Sequence, residues 1–419
     1  MNLKKTKLGE LISITRGKGL KGAFFAVEGD YKRITLGNFD LVYGGFKEDR
    51  AKSNIYYSEP VADKFILKKG DIITPLTEQA DGLIGSTALI PESNKYILSQ
   101  DIAKIECDET KLDKDYCYYL LSTNLVRSQL IAGANKTSIS HTSPAAINDC
   151  IVWIPELEDQ KQIGTLLANI DQKISLNRQI NDNLEAMARQ LYEYWFIQFE
   201  FPDENGRPYK SSGGKMVWSD ELNKDIPALW QVGTILDIAT YKNGLACQKY
   251  PCQINEVGLP VIKIKEMKQG ISSSTQRASK NVPEYALIES GDILFSWSAS
   301  IEVSIWTGEN GVLNQHIFKV IPKDQYFKSF DYFTLQDCVN VFRTIAEARK
   351  TTMGHITQDH LKQMPSIIPD VKVLKGFEDI LSPILQLYSS VSKENLTLMH
   401  RREQLAADLL CGKLKLALS

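Results

Sequence analysis

Loops rich in hydrogen-bond donors recur at matching places in the two halves of this 419-residue chain. The segment TRGKGLKGA (15–23) corresponds to TYKNGLACQK (240–249), and ANKTSISH (134–141) corresponds to ARKTTMGH (348–355). Arginine, lysine, asparagine and other donor side chains bind phosphates and read base edges in the major groove of a duplex. The pattern predicts a nucleic-acid contact in each half, although loops of this composition are also ordinary solvated surface.

A third pair of loops follows two matched glycine–aspartate strand openings. TPLTEQADG (74–82) follows the first opening, and SWSASIE (296–302) follows the second. Together the loops supply the residues that we predict to contact DNA: Arg16, Lys18, Lys21, Gln79, Lys136, Thr137, His141, Lys242, Asn243, Ser298, Arg349, Lys350, Thr351 and His355.

The loops match because the chain repeats itself, and such repeats decide the fold class. Three stretches recur in the same order: KLGELISI (7–14) as QVGTILDI (231–238), KKGDIITP (68–75) as ESGDILFS (289–296), and LSQDIAKI (98–105) as LNQHIFKV (313–320). KTSISHTSPAAI (136–147) then faces KTTMGHITQDHL (350–361) without a gap, at an offset of 214 residues. We interpret the chain as a tandem duplication of a mixed, strand-rich domain of about 140–150 residues, an α+β fold.

A long helix is predicted after each domain, because apolar residues with 3-4 spacing follow Pro155 and Pro369. The first stripe is Ile163, Leu167, Ile170, Ile174, Asn177, Asn181, Leu184, Ala188, Leu191 and Trp195. At the 214-residue offset the second is Phe377, Leu381, Ile384, Tyr388, Val391, Asn395, Leu398, Arg402, Leu405 and Leu409. Stripes of this length predict coiled-coil packing, in which Asn181 and Asn395 fix the helix–helix register. Packing of each stripe on its own domain is the alternative.

Composition limits the class of protein. The formal net charge is −2, but residues 4–21 carry a local charge of +5, which suits a partner bound at one face. The seven cysteines form no CxxC pair, so we expect reduced thiols and a cytoplasmic location. Neither a secretory signal nor an apolar run long enough for a membrane span is present in the sequence.

Common enzyme motifs are missing from the sequence: the GxxxxGK[ST] phosphate loop, the HExxH metal site and the GxSxG elbow. A glycine-rich segment that would hold S-adenosylmethionine is missing as well. We therefore expect a non-catalytic chain with no cofactor and no metal. Two modules and two helices instead suit a pseudo-symmetric reader of two DNA half-sites that are separated by an unread spacer. The alternative is a coiled-coil scaffold whose two globular domains bind proteins.

The sequence resembles the specificity subunits of type I restriction-modification systems over nearly its whole length. The most specific segments are IPELEDQKQIGTLLANIDQKISLNRQINDNLEAMARQLYEYWF (154–196) and GGKMVWSDELNKDIPALWQVG (213–233). The strand openings and LNQHI (313–317) are also similar to the family's recognition domains. The resemblance implies two target recognition domains, separated by two long antiparallel helices, that read an asymmetric bipartite site in double-stranded DNA.

The same resemblance implies the partners. Two methyltransferase (modification) subunits would dock on the helices, and restriction/translocase subunits would complete the complex, with no membrane involved. The expected boundaries are residues 1–155 and 230–370 for the target recognition domains, 156–200 for the central spacer helix, 201–229 for a linker, and 371–415 for the C-terminal spacer helix.

Overall fold

The computed structural model describes residues 3–49, 53–80, 82–132, 140–272, 274–298, 300–323, 328–348 and 355–410. The chain divides into two units. Unit 1 comprises Met1–Ser175 and Thr397–Ser419, and unit 2 comprises Leu176–Leu396. Each unit therefore contains one strand-rich domain together with part of each long helix.

Unit 1 consists mostly of short strands. They are β1 (Lys4–Lys7), β2 (Ile12–Arg16), β3 (Phe25–Ala26), β4 (Tyr31–Arg33), β5 (Tyr56–Tyr57), β6 (Ile72–Pro75), β7 (Thr77–Glu78), β8 (Ala88–Leu89), β9 (Tyr96–Ile97), β10 (Ile102–Cys107), β11 (Ser140–His141) and β12 (Ile151–Ile154). Its helices are α1 (Lys114–Leu121), α2 (Asn124–Ala132), α3 (Pro144–Asp149) and the start of α4 (Leu157–Tyr192). The single helix expected over residues 116–133 is thus two helices, α1 and α2.

Unit 2 has a comparable inventory. Its strands are β13 (Met216–Ser219), β14 (Lys224–Pro227), β15 (Gln231–Thr234), β16 (Ala239–Asn243), β17 (Leu259–Ile262), β18 (Arg277–Ala278), β19 (Leu287–Ile288), β20 (Ile293–Ser296), β21 (Glu302–Ile305), β22 (Gly311–Leu313), β23 (Ile317–Pro322) and β24 (Pro365–Ile368). Its helices are α5 (Ile235–Ile238), α6 (Ile264–Gln269), α7 (Lys328–Ala348), α8 (Gln358–Gln363) and most of α9 (Val371–Leu410).

The strands of the two units pair in the same way. The order β2-β10-β6-β8 in unit 1 matches β16-β23-β20-β21 in unit 2, and the pair β1-β12 matches β15-β24. Each unit also contains one parallel pair, β4 with β9 and β17 with β22, within a second four-stranded sheet. The structure therefore confirms the α+β class and the duplication that the sequence predicts.

The main four-stranded sheet of each unit packs against a helix of the same unit. In unit 1, Ile72 and Ile105 share a core with Tyr116 and Leu120 of α1. In unit 2, the ring of Phe295 on β20 lies 5.5 Å from that of Phe342 on α7. Burying an apolar side chain of this size contributes roughly 1.5–3 kcal/mol, so these contacts hold the ends of the strands, and the loops that follow them, in place.

The two long helices pack through the predicted stripe. The central helix begins at Leu157, continues as α4 to Tyr192, and ends in a π-helical turn, Glu193–Ile197. Within unit 2, Asn181 contacts Ser392 and the ring of Trp195 lies 5.6 Å from that of Phe377. The partner on α9 thus moves toward lower residue numbers as α4 advances, so the helices run antiparallel. All the predicted stripe positions are buried or half-buried.

Residues 201–229, expected as a linker, contain a β-hairpin formed by β13 and β14. Its neighbours Phe199, Phe201 and Trp230 are buried, and the rings of Phe201 and Trp230 stack with their centroids 5.0 Å apart. Apolar side chains therefore anchor this glycine- and serine-rich segment to unit 2.

Two predictions from composition concern cysteines and membranes. Cys107, Cys117, Cys150, Cys247, Cys252 and Cys338 are free thiols, and Cys411 lies outside the described residues. In the part of the chain that the structure describes, every helix is too short or too polar to cross a membrane.

Candidate nucleic-acid interface

The predicted loops of unit 1 meet at one end of its main sheet, where four backbone hydrogen bonds join separate segments. They run from Gly17 N to Ile102 O (3.0 Å), Lys18 N to Leu98 O (3.3 Å), Leu76 N to Asp101 O (2.7 Å) and Thr142 N to Leu76 O (2.9 Å). We call this arrangement the loop cage. It brings the loop after β2, the loop after β6, the turn before β10 and the segment after β11 together.

Unit 2 has the same loop cage in the same order. Its hydrogen bonds run from Gly244 N to Ile317 O (3.0 Å), Leu245 N to Leu313 O (2.8 Å), Trp297 N to His316 O (3.3 Å) and Ile356 N to Trp297 O (3.0 Å). The sequence matches place these donors and acceptors at equivalent positions. The backbone of the candidate site is therefore duplicated along with the sheet.

A glycine sits at the closest approach in each loop cage. A Cβ atom on Gly17 would lie 2.0 Å from the carbonyl oxygen of Ser99, and one on Gly244 would lie 2.3 Å from that of Asn314. Since real Cβ atoms do not approach a carbonyl so closely, both positions require glycine. This explains physically why RG (16–17) and NG (243–244) recur in the two halves.

A tight turn forms the centre of each loop cage. Ile102 N donates to Ser99 O at 3.0 Å, and Ile317 N donates to Asn314 O at 3.1 Å. Each bond closes a four-residue turn with two central residues, Gln100-Asp101 in unit 1 and Gln315-His316 in unit 2. Gln100 and Gln315 are not among the contact residues predicted from the sequence. The match between LSQD (98–101) and LNQH (313–316) places these two glutamines at equivalent positions in the sequence.

Basic side chains border the unit 1 loop cage. Arg16, Lys18 and Lys21 are exposed, and Arg16 Nε donates to the carbonyl oxygen of Gln100 at 3.1 Å. Glu59 faces this patch, and its pKa is lowered, first by a hydrogen bond from Tyr57 and then by the charges of Lys21 and Lys18. Three predicted residues thus lie on one accessible basic surface.

His141 on β11 and Gln79, which directly follows β7, lie beside the same loop cage. His141 pairs with Thr77 across β11 and β7, and its Nδ1 lies 3.2 Å from Thr77 Oγ1. Both His141 and Gln79 are exposed. Neighbouring Glu78 accepts a hydrogen bond from Gly82 N at 2.8 Å, which closes the loop after β7.

In unit 2 an aromatic side chain dominates the equivalent site. Trp297 Nε1 donates to Asn243 Oδ1 at 3.0 Å, and its ring centroid lies 5.4 Å from His355 and 5.6 Å from His316. Asn243 and His355, both predicted, are therefore held together by Trp297, which was not predicted. Lys242 is exposed next to them on β16.

Ser298 differs from the other described candidates because it is only 4% exposed. Its carbonyl oxygen accepts a hydrogen bond from Ser300 N at 2.7 Å, which turns the loop back on itself. Its half-buried neighbour Trp297 borders the loop cage instead. Five further predicted residues lie outside the described residues: Lys136, Thr137, Arg349, Lys350 and Thr351.

The helix–helix register involves other partners than the predicted pair. Asn181 Nδ2 donates to Ser392 Oγ at 2.8 Å rather than bonding Asn395. Asn177, only 1% exposed, donates from Nδ2 to Glu394 Oε2 at 2.7 Å. The 214-residue offset identifies residues that occupy equivalent positions in the two repeats. Because the two helices are antiparallel, a residue on one helix does not face its equivalent on the other. Asn395 is nevertheless buried in the contact between α4 and α9, which we call the seam.

The polar position of the seam in unit 1 is Arg402. Arg402 Nη1 donates to Asp171 Oδ1 on α4 at 2.5 Å and to the carbonyl oxygen of Tyr43 at 2.7 Å. Burial alone would lower the pKa of Arg402, but the charge and hydrogen bond of Asp171 raise it overall. Tyr119 OH donates to the other oxygen of Asp171 at 2.6 Å. This network joins both helices to the strand-rich domain of unit 1.

The residues described hold no group of three or more His, Cys, Asp or Glu side chains that could bind a metal ion. Two copies of one strand-rich domain, each with a loop cage at the end of its main sheet, define a duplicated two-domain protein built on paired helices. The family model "Type I restriction modification DNA specificity domain" matches residues 2–186 and 227–395, which include both domains. The chain belongs to this family, and the resemblance found in its sequence is confirmed.

Individual relatives agree with this assignment. The chain is 22% identical over 316 residues to the type I restriction enzyme MjaIX specificity subunit of Methanocaldococcus jannaschii, covering 72% of this chain and 69% of the relative. It is 22% identical over 414 residues to the HindI specificity subunit of Haemophilus influenzae, covering 85% and 89%. The crystal structure of a type I S subunit from M. genitalium shares the fold, with a TM-score of 0.56 at 15% identity over 98% of this chain and 96% of that one.

Proposed function

We propose that this chain is the non-catalytic DNA sequence-specificity subunit of a type I restriction-modification complex. Each recognition domain reads one half of an asymmetric, bipartite site in double-stranded DNA. The observation that carries the proposal is the loop cage, which has the same backbone in both units and different side chains around it. A shared frame with exchangeable side chains suits two readers of different sequences.

The chemistry of the loop cages supports contact with a duplex. Arg16, Lys18 and Lys21 offer positive charge to phosphates, while Gln79 and His141 offer donors suited to base edges. In unit 2, Lys242 supplies charge, and Asn243 and His355 flank the ring of Trp297. The five predicted residues outside the described ranges belong to the segments that precede His141 and His355, so we propose them as further contacts.

The long helices set the spacer between the half-sites in this proposal. Both helices pass from one unit to the other, so their length fixes how much chain separates the two recognition domains. Polar contacts such as Asn181 with Ser392 favour one register over its neighbours. The spacer is therefore fixed by the protein and is not read as sequence.

The outer face of α4 supports docking of the methyltransferase subunits. Leu176, Ile180 and Met187 on α4, and Tyr194 and Ile197 in the π-helical turn that ends it, recur at spacings of three, four and seven residues and are each 40–53% exposed. An exposed apolar stripe of this kind marks a protein contact. The equivalent positions at the 214-residue offset on α9 include the polar residues Ser390, Glu394, Arg401 and Asp408. Two methyltransferase subunits would thus meet surfaces of different chemistry, and restriction/translocase subunits would join them in the cytoplasm.

Mapping of methylated sites tests the proposal. The chain is expressed with the modification subunits of its own system in a host that lacks other adenine methylation. We expect one split motif with a constant gap. A continuous motif, or methylation that does not depend on this chain, would contradict the proposal and favour a scaffold that binds proteins through its two domains.

Lengthening both helices tests the role of the spacer. Four residues inserted at Asn181 and four at Ser392, which contact each other, add about one turn, roughly 6 Å, to each helix while keeping the seam in register. We expect the gap in the motif to grow by about one or two base pairs, each about 3.4 Å, with both half-sites unchanged. Insertion in α4 alone is the control, and it should disrupt the seam. An unaltered gap after the double insertion would rule out the spacer role.

A further inference from the structure

One side chain is kept at the centre of both loop cages while its neighbours change. Gln100 in unit 1 and Gln315 in unit 2 occupy the same position of the turn before β10 and β23. The residue before them changes from Ser99 to Asn314, and the residue after them changes from Asp101 to His316.

The fold does not require glutamine at this position. The turn is held by backbone bonds, Ile102 N to Ser99 O in unit 1 and Ile317 N to Asn314 O in unit 2. Glycine, proline, asparagine, aspartate and serine are the residues that turns favour for conformational reasons, and glutamine is not among them. A backbone requirement therefore does not explain why the same side chain recurs.

Internal side-chain bonds do not explain the recurrence either. Gln100 is exposed, and its amide forms no hydrogen bond with any residue that the structure describes, although its Oε1 lies close to Gly19. Gln315 is half-buried, and its Nε2 lies 3.3 Å from Nε2 of His316, a residue that unit 1 replaces with aspartate. The amides thus share no structural partner, which leaves a ligand common to both units.

We propose that Gln100 and Gln315 each read an adenine in the half-site of their own unit; this inference rests on the proposed function. A carboxamide can accept from the N6 amino group of adenine and donate to its N7, two bonds in one plane. Basic residues nearby, such as Lys18 and Lys242, supply the charge for phosphate contacts, whereas the paired donor and acceptor of a carboxamide match the edge of adenine. The side chains of the surrounding loops then read the bases that differ between the half-sites.

Two single substitutions test the inference, with each serving as the control for the other. Gln100→Ala and Gln315→Ala are each expressed with the modification subunits, and their methylated motifs are compared with that of the unaltered chain. We expect Gln100→Ala to relax one A·T position in one half-site, and Gln315→Ala to relax one A·T position in the other. Competition binding of the assembled complex to duplexes altered at that position should show discrimination reduced on the order of tenfold to a hundredfold.

Two further variants separate base reading from a structural effect. Gln100→Glu and Gln315→Glu keep the shape of the side chain but lose its donor, so the preference for adenine should fall while the melting temperature stays unchanged. Gln231→Ala, an exposed glutamine on β15 outside the loop cage and the long helices, should leave motif and binding unchanged. The inference is overturned if either alanine variant retains the full motif, or if both relax the same half-site. If the unaltered chain directs no split motif at all, the proposed function itself fails.

Discussion

The two loop cages have the same backbone and different chemistry. Leu76 in unit 1 and Trp297 in unit 2 occupy equivalent positions. The backbone nitrogen of each donates a hydrogen bond to the central turn of its loop cage. Around Leu76 the surface is basic and open, whereas Trp297 holds Asn243 and His355 against its ring. Hydrogen-bonded backbone can therefore fix the positions of the loops while the side chains around them change.

The helix pair differs between the units as well. In unit 1 a charged side chain, Arg402, interrupts the seam and bonds Asp171 and the carbonyl oxygen of Tyr43. In unit 2 the interruptions are three asparagines: Asn177 and Asn181, which bond Glu394 and Ser392, and the buried Asn395. Each unit thus has its own polar contacts, so substitutions should affect one unit at a time.

The largest effect is expected from Arg402→Ala, which acts on unit 1. The Arg402 side chain is 13% exposed, and its loss leaves Asp171 and a carbonyl oxygen without their cation. Breaking a buried ion pair costs about 3–5 kcal/mol in the free energy of unfolding. Hydrogen exchange and denaturant unfolding should show the loss in unit 1, with unit 2 protected as before.

Arg401→Ala is the matched control, because Arg401 is the exposed neighbour on the same helix. It should change the free energy of unfolding by less than about 0.5 kcal/mol. Equal losses for the two variants would mean that the Arg402 network does not stabilise unit 1.

A smaller effect is expected from Gly17→Ala, which targets the loop cage of unit 1. The added Cβ would lie 2.0 Å from Ser99 O, so the loop after β2 must move away from the turn. Such overpacking lowers the free energy of unfolding by about 1–3 kcal/mol. One half of the methylated motif should lose its specificity while the other half is kept.

Gly22→Ala provides the control in the same loop. A Cβ at Gly22 would meet no atom within 4 Å among the described residues, so both stability and motif should be retained. Gly244→Ala is the counterpart in unit 2 and should affect the other half of the motif. The duplication of the loop cage would be refuted if Gly17→Ala and Gly244→Ala weakened the same half-site.

The smallest effect concerns pH and unit 2. Asp331 is 2% exposed, and burial, followed by the charge of Glu378, raises its pKa to about 8. The folded pKa lies above the unfolded value of about 3.9, so this group's stabilising contribution is complete below about pH 4 and is lost as the pH rises toward 8. The free energy of unfolding of unit 2 should fall by about 1.4 kcal/mol between about pH 6 and about pH 7.

The groups that face Asp331 are Glu378 on α9 and Tyr241 on β16. Asp331→Asn should remove the pH dependence in this window, while Asp379→Asn, on the exposed side of α9, should retain it. The assignment is wrong if the slope of unfolding free energy against pH is the same in both variants.

The sequence predicts repeated and periodic features of the molecule well, because these depend on local spacing. The stripe from Ile163 to Trp195 is buried as its 3-4 spacing requires, and His141 and His355 lie at equivalent places in the two loop cages. The partner of Asn181 could not be obtained in this way. The offset relates equivalent positions, whereas Ser392 faces Asn181 only because the helices are antiparallel.

The sequence also could not predict which side chains in the loops are accessible to solvent. Ser298 and Trp297 are adjacent, yet the serine is buried and the tryptophan borders the site, because the loop turns back at Ser300. Likewise, the contact of Trp297 with Asn243 depends on how β16 and β20 pair with β23, which no short-range pattern specifies. Gln100 and Gln315 were visible in the repeat, but only the turn geometry shows them at its centre.

Exchange of one recognition domain tests the account most directly. Residues 1–150 are replaced by the corresponding domain of another family member, and the methylated motif is mapped with the same modification subunits. The account predicts that one half of the split motif changes while the other half keeps its sequence. A change in both halves, or in neither, would contradict the claim that each unit reads its own half-site.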